Sequence, residues 1–293
     1  TPVAVLITIA SYFLILFTIS YIAGRKADNE GFFVGNRKSA WYVVAFAMIG
    51  SSISGVTFVS VPGMVGISNF SYLQMVLGFV TGQIIIAFVL IPLFYRMNLV
   101  SIYEYLENRF GTSSYKTGAW FFFISKILGA AVRLYLVCLT LQLLVFEPFH
   151  MPFIMNVILT VALVWLYTFR GGVKSLIWTD SLKTFCLIVS VVLCIYYIST
   201  DLKLSFTEMF STVSDSALSH MFFFDNVNDK RYFFKQFLAG VFTMIAMTGL
   251  DQDMMQRNLS CKNFKDSQKN MITSGISQFF IILLFLMLGV LLY

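Results

Sequence analysis

The chain has 293 residues, of which 58% are hydrophobic, 17% aromatic and only 12% charged, and its mean hydropathy is +0.82. That balance excludes a water-soluble domain and is the composition of a polytopic membrane protein. The net charge of +6 is no nucleic-acid footprint, because the cations are spread over alternate loops rather than gathered on one face.

Apolar runs separated by short polar connections predict about eight transmembrane helices, at roughly 3–23, 41–66, 71–95, 117–146, 152–168, 176–199, 236–256 and 271–293. They are too long and too many to include a signal peptide, so the run from Val3 to Ala23 is a span. Arg25, Lys26, Arg37 and Lys38 follow the first span; Arg96, Arg109 and Lys116 follow the third; Arg170 and Lys174 the fifth; Arg257, Lys262, Lys265 and Lys269 the seventh. Cations mark cytoplasmic loops, which places the N-terminus outside. The expected location is the cell's inner (plasma) membrane, as a multi-pass protein. The loop from Arg25 to Ala40 reads as a connector, with Phe32 and Phe33 at the interface.

The second span carries Gly50, Ser51, Ser52, Ile53, Ser54 and Gly55 near its middle. A backbone loosened at the midplane persists only where protein or a wet cavity satisfies its freed carbonyls, as a binding site does. The same residues also suit close helix packing, Gly50 and Ser54 being one turn apart. After the third span, residues 101–110 predict a short amphipathic cytoplasmic helix with Ser101 as cap and Glu104 as its capping-box partner, in a structural role.

The fourth span carries Lys126 and Arg133, two turns apart on one face. Lys126 is close enough to the cytoplasmic end to snorkel. Arg133 is deeper, and reads either as a clamp for a carboxylate or as half of a buried ion pair. Gly171 and Gly172 allow a tight turn before the sixth span, for which Ser175 is the expected cap. Asp180 then sits about one turn inside that helix, as a complement to the helix dipole or as a partner for a cation. The connection at about 200–235 reads as a solvated external loop; its Asp225, Asn226, Asn228 and Asp229 lack the spacing of a calcium loop.

The seventh span repeats the logic of the second, with Gly249 beside Asp251 in an otherwise apolar run. Two interrupted helices in one bundle point to a transporter site. Cys138, Cys186 and Cys194 fall in spans and Cys261 in a loop, with no disulfide framework, and His150 and His220 stand apart from any zinc-ligand pattern. The last span reaches Tyr293, and the chain is expected to be an incomplete copy of a longer protein.

Three segments resemble the sodium:solute symporter family, whose members carry sugars, sialic acid, amino acids, vitamins and small anions. They are Gly171, Gly172 through Trp178, Thr179, Asp180; Gly249, Leu250, Asp251, Gln252 followed by Gln256, Arg257, Gln268 and Lys269; and the Ser/Gly-rich stretch with Glu104 to Phe110 downstream. The resemblance covers essentially all of the chain, but only the first half or so of such a symporter.

It implies an all-α polytopic membrane protein with an incomplete LeuT-like inverted-repeat fold. One transmembrane domain would comprise an extra helix and loop (1–40), a first five-helix repeat (41–199), an external loop (200–235) and two helices of the second repeat (236–293). The resemblance also implies sodium held by backbone carbonyls of Gly50 and Ile53, hydroxyl ligands on a later helix that this chain does not contain, and Asp180 as the aspartate tied to cation coupling, which replaces the dipole account. For cargo it implies Ser52, Ser54 and Thr57 at the first break, Gln74, Thr248 and Asp251, and Arg133 as the grip of sialic-acid-type members. Lys183 departs from the pattern, standing where many relatives have glutamine.

The function so implied is sodium-coupled import of a small polar organic solute (a sugar, sialic acid or another organic acid) by alternating access, with the lipid bilayer as surroundings and no nucleic acid as partner. The alternatives are a symporter-like sensor ahead of a signalling domain, and a channel. An enzyme is not expected, since paired histidines, a nucleophile elbow and a metal-ligand cluster are all missing from the sequence.

Overall fold

A computed structural model describes residues 2–24, 39–99, 101–168 and 172–293. The connector residues Arg25, Lys26, Phe32, Phe33, Arg37 and Lys38, and the turn residues Arg170 and Gly171, lie outside the described residues. The chain is almost entirely helical. In order it forms α1 (Pro2–Gly24), α2 (Trp41–Ser52), α3 (Gly55–Ser68), α4 (Tyr72–Ile85), α5 (Ile91–Arg96), α6 (Ile102–Phe110), α7 (Thr112–Leu141), α8 (Phe153–Thr168), α9 (Gly172–Asp201), α10 (Phe206–Asp215), α11 (Phe233–Met244), α12 (Gln252–Asn258) and α13 (Phe264–Leu292). Single π-turns at Ile86–Leu90, Gln142–Phe146 and Ile245–Gly249 join α4 to α5 and end α7 and α11.

Each expected span is helical, for the reason that hydrocarbon leaves the backbone no other partner. Among the described residues five helical runs are long and apolar enough to cross a bilayer by themselves, and the bent pair Phe233–Gly249 with Gln252–Asn258 makes a sixth. The number falls short of eight because the second span divides into α2 and α3, because Gly55–Arg96 runs through a kink at Asn69 (φ 54°), and because α8 is short.

The helices gather into two compact units. The first comprises the described parts of Thr1–Lys38 and Leu99–Thr179. In it α6 packs on α7, where Gly118 lets Tyr103 and Leu106 approach. Ser101 caps α6 by accepting the N–H of Tyr103 at 3.1 Å. Asn156 on α8 donates to the Cys138 carbonyl and to Gln142 Oε1, holding the backbone where α7 gives way to its π-turn. Ser175 does not serve as the cap expected above: α9 starts at Gly172, and Ser175, already inside it, donates to Ser20 of α1 across 3.0 Å.

The second unit comprises Ser39–Asn98 and Asp180–Tyr293. Its core is α13, whose Ile282, Phe285 and Leu286 are fully buried against α2, α3 and α4. Helices α4 and α11 pack closely. A β-carbon on Gly78 would stand 2.9 Å from Val241 N, and one on Gly240 would stand 3.0 Å from the Met75 carbonyl carbon, so only glycines allow the approach.

The connection after α9 is folded, not merely solvated. The Ser205–Glu208 capping box starts α10, which buries Met209 and Val213. Gln74 of α4 then pins the segment, donating to the Arg231 carbonyl at 2.8 Å and accepting from Phe223 N–H at 3.1 Å. The carboxylate of Asp229 is taken by Arg231, whose guanidinium lowers its pKa. Cys261, between α12 and α13, is buried and its thiol is pushed up to about 12, the protonation of an inert small hydrophobe.

Candidate functional site

The backbone of the second span opens at Ile53 and Ser54. Their φ/ψ of −99°/120° and −109°/171° are extended, and separate α2 from α3. The helical ladder closes with Ile53 N–H on the Ile49 carbonyl and resumes with Phe58 N–H on that of Ser54. In between, Ser54 N–H turns to Thr57 Oγ1 at 3.3 Å rather than to the Gly50 carbonyl. The carbonyls of residues 50 to 53 are thereby released from the ladder among the described residues. They lie at the negative end of the α2 dipole, which favours a cation.

The packing reading of the same stretch also holds. A β-carbon on Gly50 would meet Thr184 Oγ1 and, at 2.7 Å, the Asp180 carbonyl of α9. Thr184 Oγ1 in turn donates to the Phe46 carbonyl at 2.7 Å. Gly50 therefore lets α2 lie directly on α9, and that contact brings Asp180 to the break.

The seventh span breaks at Leu250 and Asp251, with a bend of 73°. Here the ends are closed by the chain itself. Leu250 N–H completes the π-turn on the Ile245 carbonyl, and Asp251 caps α12 by accepting Met254 N–H at 3.1 Å.

Near the first break is a buried charge cluster. Asp180, 1% exposed, receives the Lys183 ammonium on Oδ1 and the Arg257 guanidinium on Oδ2. Arg257 also pairs with Asp253, one turn back on α12, at 3.2 Å, and donates to Ser51 Oγ. Ser51 Oγ lies 3.1 Å from Asp180 Oδ2, so a residue of the opened segment touches the carboxylate directly. A buried pair of this kind is tolerated only because its remaining lone pairs and protons are met, here by serine and a second acid.

The expected site residues fall as follows. Gly50, Ile53, Ser52, Ser54 and Thr57 lie at the first break, with Ser52 Oγ donating to the Met48 carbonyl at 2.9 Å. Asp180 is brought to that break, and Thr248 and Asp251 lie at the second, Thr248 Oγ1 donating to Met244 Sδ at 2.9 Å. Gln74 is elsewhere, its amide engaged at both ends by backbone. Arg133 belongs to the first unit and is exposed, with Nε on the Gly129 carbonyl of its own helix. Lys126 lies over the Phe122 ring at 5.4 Å, reaching back toward the start of α7. Sequence reasoning gave no role to Ser51 or Asp253, and it read Arg257 as a cation of the cytoplasmic loop after the seventh span, whereas the structure buries it on α12 against Asp180. For Arg257 a signal existed, since an arginine one turn after Asp253 at the end of an apolar run needs an acidic partner.

The family model described as "Sodium:solute symporter family" matches residues 32–293. The chain belongs to the sodium:solute symporter family. Its relatives include the human sodium-coupled monocarboxylate transporter 2, 26% identical over 246 residues, which covers 83% of this chain and 39% of the relative. They also include the sodium/sialic acid symporter NanT of Aliivibrio fischeri, 26% identical over 269 residues, covering 87% of this chain and 50% of the relative. This chain thus spans half or less of the length of these two symporters. A solved Na+-coupled sialic acid symporter in a substrate-bound outward-open state superposes with a TM-score of 0.83 at 22% identity, over 96% of this chain and 59% of that one. The fold of this family member is accordingly the LeuT-like one, represented here by part of its helices.

Proposed function

We propose that this chain carries the ion-binding break and the cargo-binding residues of a sodium-coupled symporter that imports a small organic acid by alternating access. The observation that carries the reading is the opened ladder at residues 50 to 53, tied through Ser51 to the buried carboxylate of Asp180. Released carbonyls at a helix C-terminus and a nearby carboxylate are the oxygen donors that suit a hard cation. Gly50 and Ile53 would hold sodium through their carbonyls, and Asp180 would sense its charge.

Ser52, Ser54, Thr57, Thr248 and Asp251 offer hydroxyl and carboxylate groups to the polar part of the cargo. Gln74 is left out of that set because its amide already serves the backbone. Two relatives support an acidic cargo, being named for monocarboxylates and for sialic acid.

Coupling follows from charge and linkage. A cation that fixes the opened segment in its cargo-ready shape raises cargo affinity, and cargo raises cation affinity by the same factor. The membrane potential adds about 2.3 kcal/mol per charge per 100 mV to inward movement.

Uptake of labelled sialic acid and of a monocarboxylate into proteoliposomes, with a sodium gradient and with choline in its place, tests the reading. Saturable uptake driven by sodium is expected, with a weaker sodium dependence in Asp180→Asn. Uptake that ignores the replacement of sodium by choline, or conductance without saturation, would sink it.

A further inference from the structure

The cluster around Asp180 contains two acids, Asp180 and Asp253, and two bases, Arg257 and Lys183. It is neutral without any mobile ion. The two bases differ in kind. Arg257 is held on several sides, by Asp180, Asp253 and Ser51, and its side chain is 10% exposed. Lys183 reaches Asp180 from three residues further along α9, and its side chain is 42% exposed. One oxygen of the carboxylate is thus occupied by a rigid, buried guanidinium, the other by an ammonium on a flexible stem that can withdraw.

We infer that Lys183 is a tethered cation that competes with mobile sodium for Asp180 Oδ1. While Lys183 stays, a sodium ion arriving at the released carbonyls next to Ser51 adds an uncompensated positive charge beside the buried Asp180–Arg257 pair, in a cluster that is already neutral. Sodium therefore binds well only as the ammonium swings away from the carboxylate, and the lysine sets the concentration at which this happens. No proton moves in this exchange; one cation replaces another on the same oxygen. The residue determines ion affinity from a position beside the ion, leaving the oxygen ligands unchanged. The inference rests on the sodium-coupled reading above.

The test is sodium-dependent thermal unfolding of the purified protein in lipid nanodiscs, followed by tryptophan fluorescence as sodium replaces choline at constant ionic strength. Lys183→Gln removes the charge while keeping a polar side chain, and Lys183→Arg keeps the charge. Expected is a midpoint for sodium stabilisation roughly tenfold lower in Lys183→Gln than in the wild type, as removal of one nearby like charge predicts, with Lys183→Arg close to the wild type. If Lys183→Gln has no cooperative transition in choline, Lys183→Met is titrated in its place with the same expectation. A neutral variant with the wild-type midpoint, or an arginine variant that behaves like the neutral one, overturns the inference and leaves the sodium-coupled reading standing. A wild type and neutral variants that sodium does not stabilise at any concentration overturn both.

Discussion

The two broken spans of the second unit solve one problem in opposite ways. At the first break, neutral groups close the ends: Ser54 N–H goes to Thr57, and the carbonyls of residues 50 to 53 are left to whatever the site brings. At the second, a charged side chain does the closing, Asp251 on Met254 N–H, and a π-turn takes up the slack before the 73° bend. The difference separates roles. An opened carbonyl end attracts a cation. A helix N-terminus already capped by a carboxylate is electrostatically content, and an arriving anion must compete with that cap. Arg257, on the short helix that follows the second break, reaches Ser51 and Asp180 beside the first, so the breaks are chemically linked.

The largest expected effect comes from cutting that link. Arg257→Met leaves Asp180 and Asp253 without their shared guanidinium, and removal of one partner of a buried pair costs about 3–5 kcal/mol. A fall in melting temperature far larger than that of Asp253→Asn is expected. Equal falls in the two variants would show that the exposed acid, not the buried one, carries the cluster.

A smaller effect separates the breaks from each other. Thr57→Val removes the partner of Ser54 N–H, and Asp251→Ala removes the cap of α12; each should cost about 1 kcal/mol, as helix caps do. Asp251→Asn should retain most of the stability, since asparagine caps as well as aspartate. Amide exchange in α3 should quicken in the first variant and in α12 in the second. Quickening at both helices in either variant would mean that the breaks open as one.

The smallest effect lies outside both. Glu208, which accepts Ser205 N–H, and Asp229, beside Arg231, have pKa values below their ordinary 4.5 and 3.8. A depressed folded value stabilises above the ordinary one and is lost as pH falls through it. Acidification below about pH 4.5 should therefore loosen the segment around α10. Protection factors there, taken against the intrinsic exchange rate at each pH, that do not change down to pH 3 would show that burial of Met209 and Val213 alone holds it.

Much of this was legible in the residues themselves. Uninterrupted apolar runs specify where helices cross a bilayer, because hydrocarbon leaves the backbone one solution. The weak points at Gly50–Gly55 and at Gly249–Asp251 were visible as polar, glycine-containing interruptions of those runs, and both became breaks. The start of α9 and the folding of residues 206–219 were misread, since caps depend on where a helix end meets its neighbours.

What the chain order could not disclose was who meets whom. Whether Gly50 was a packing residue or a binding residue had no answer along one helix; it proved to be the close approach to α9 that sets Asp180 beside the opened segment. Arg257 and Ser51 are 206 positions apart, and a hydrogen bond between distant residues has no periodic signature. The sequence alone determined which stretches enter the membrane and where they are weak, because those follow from local composition. Only the tertiary structure decided which cations take the buried carboxylate, because that depends on three helices arriving at one point.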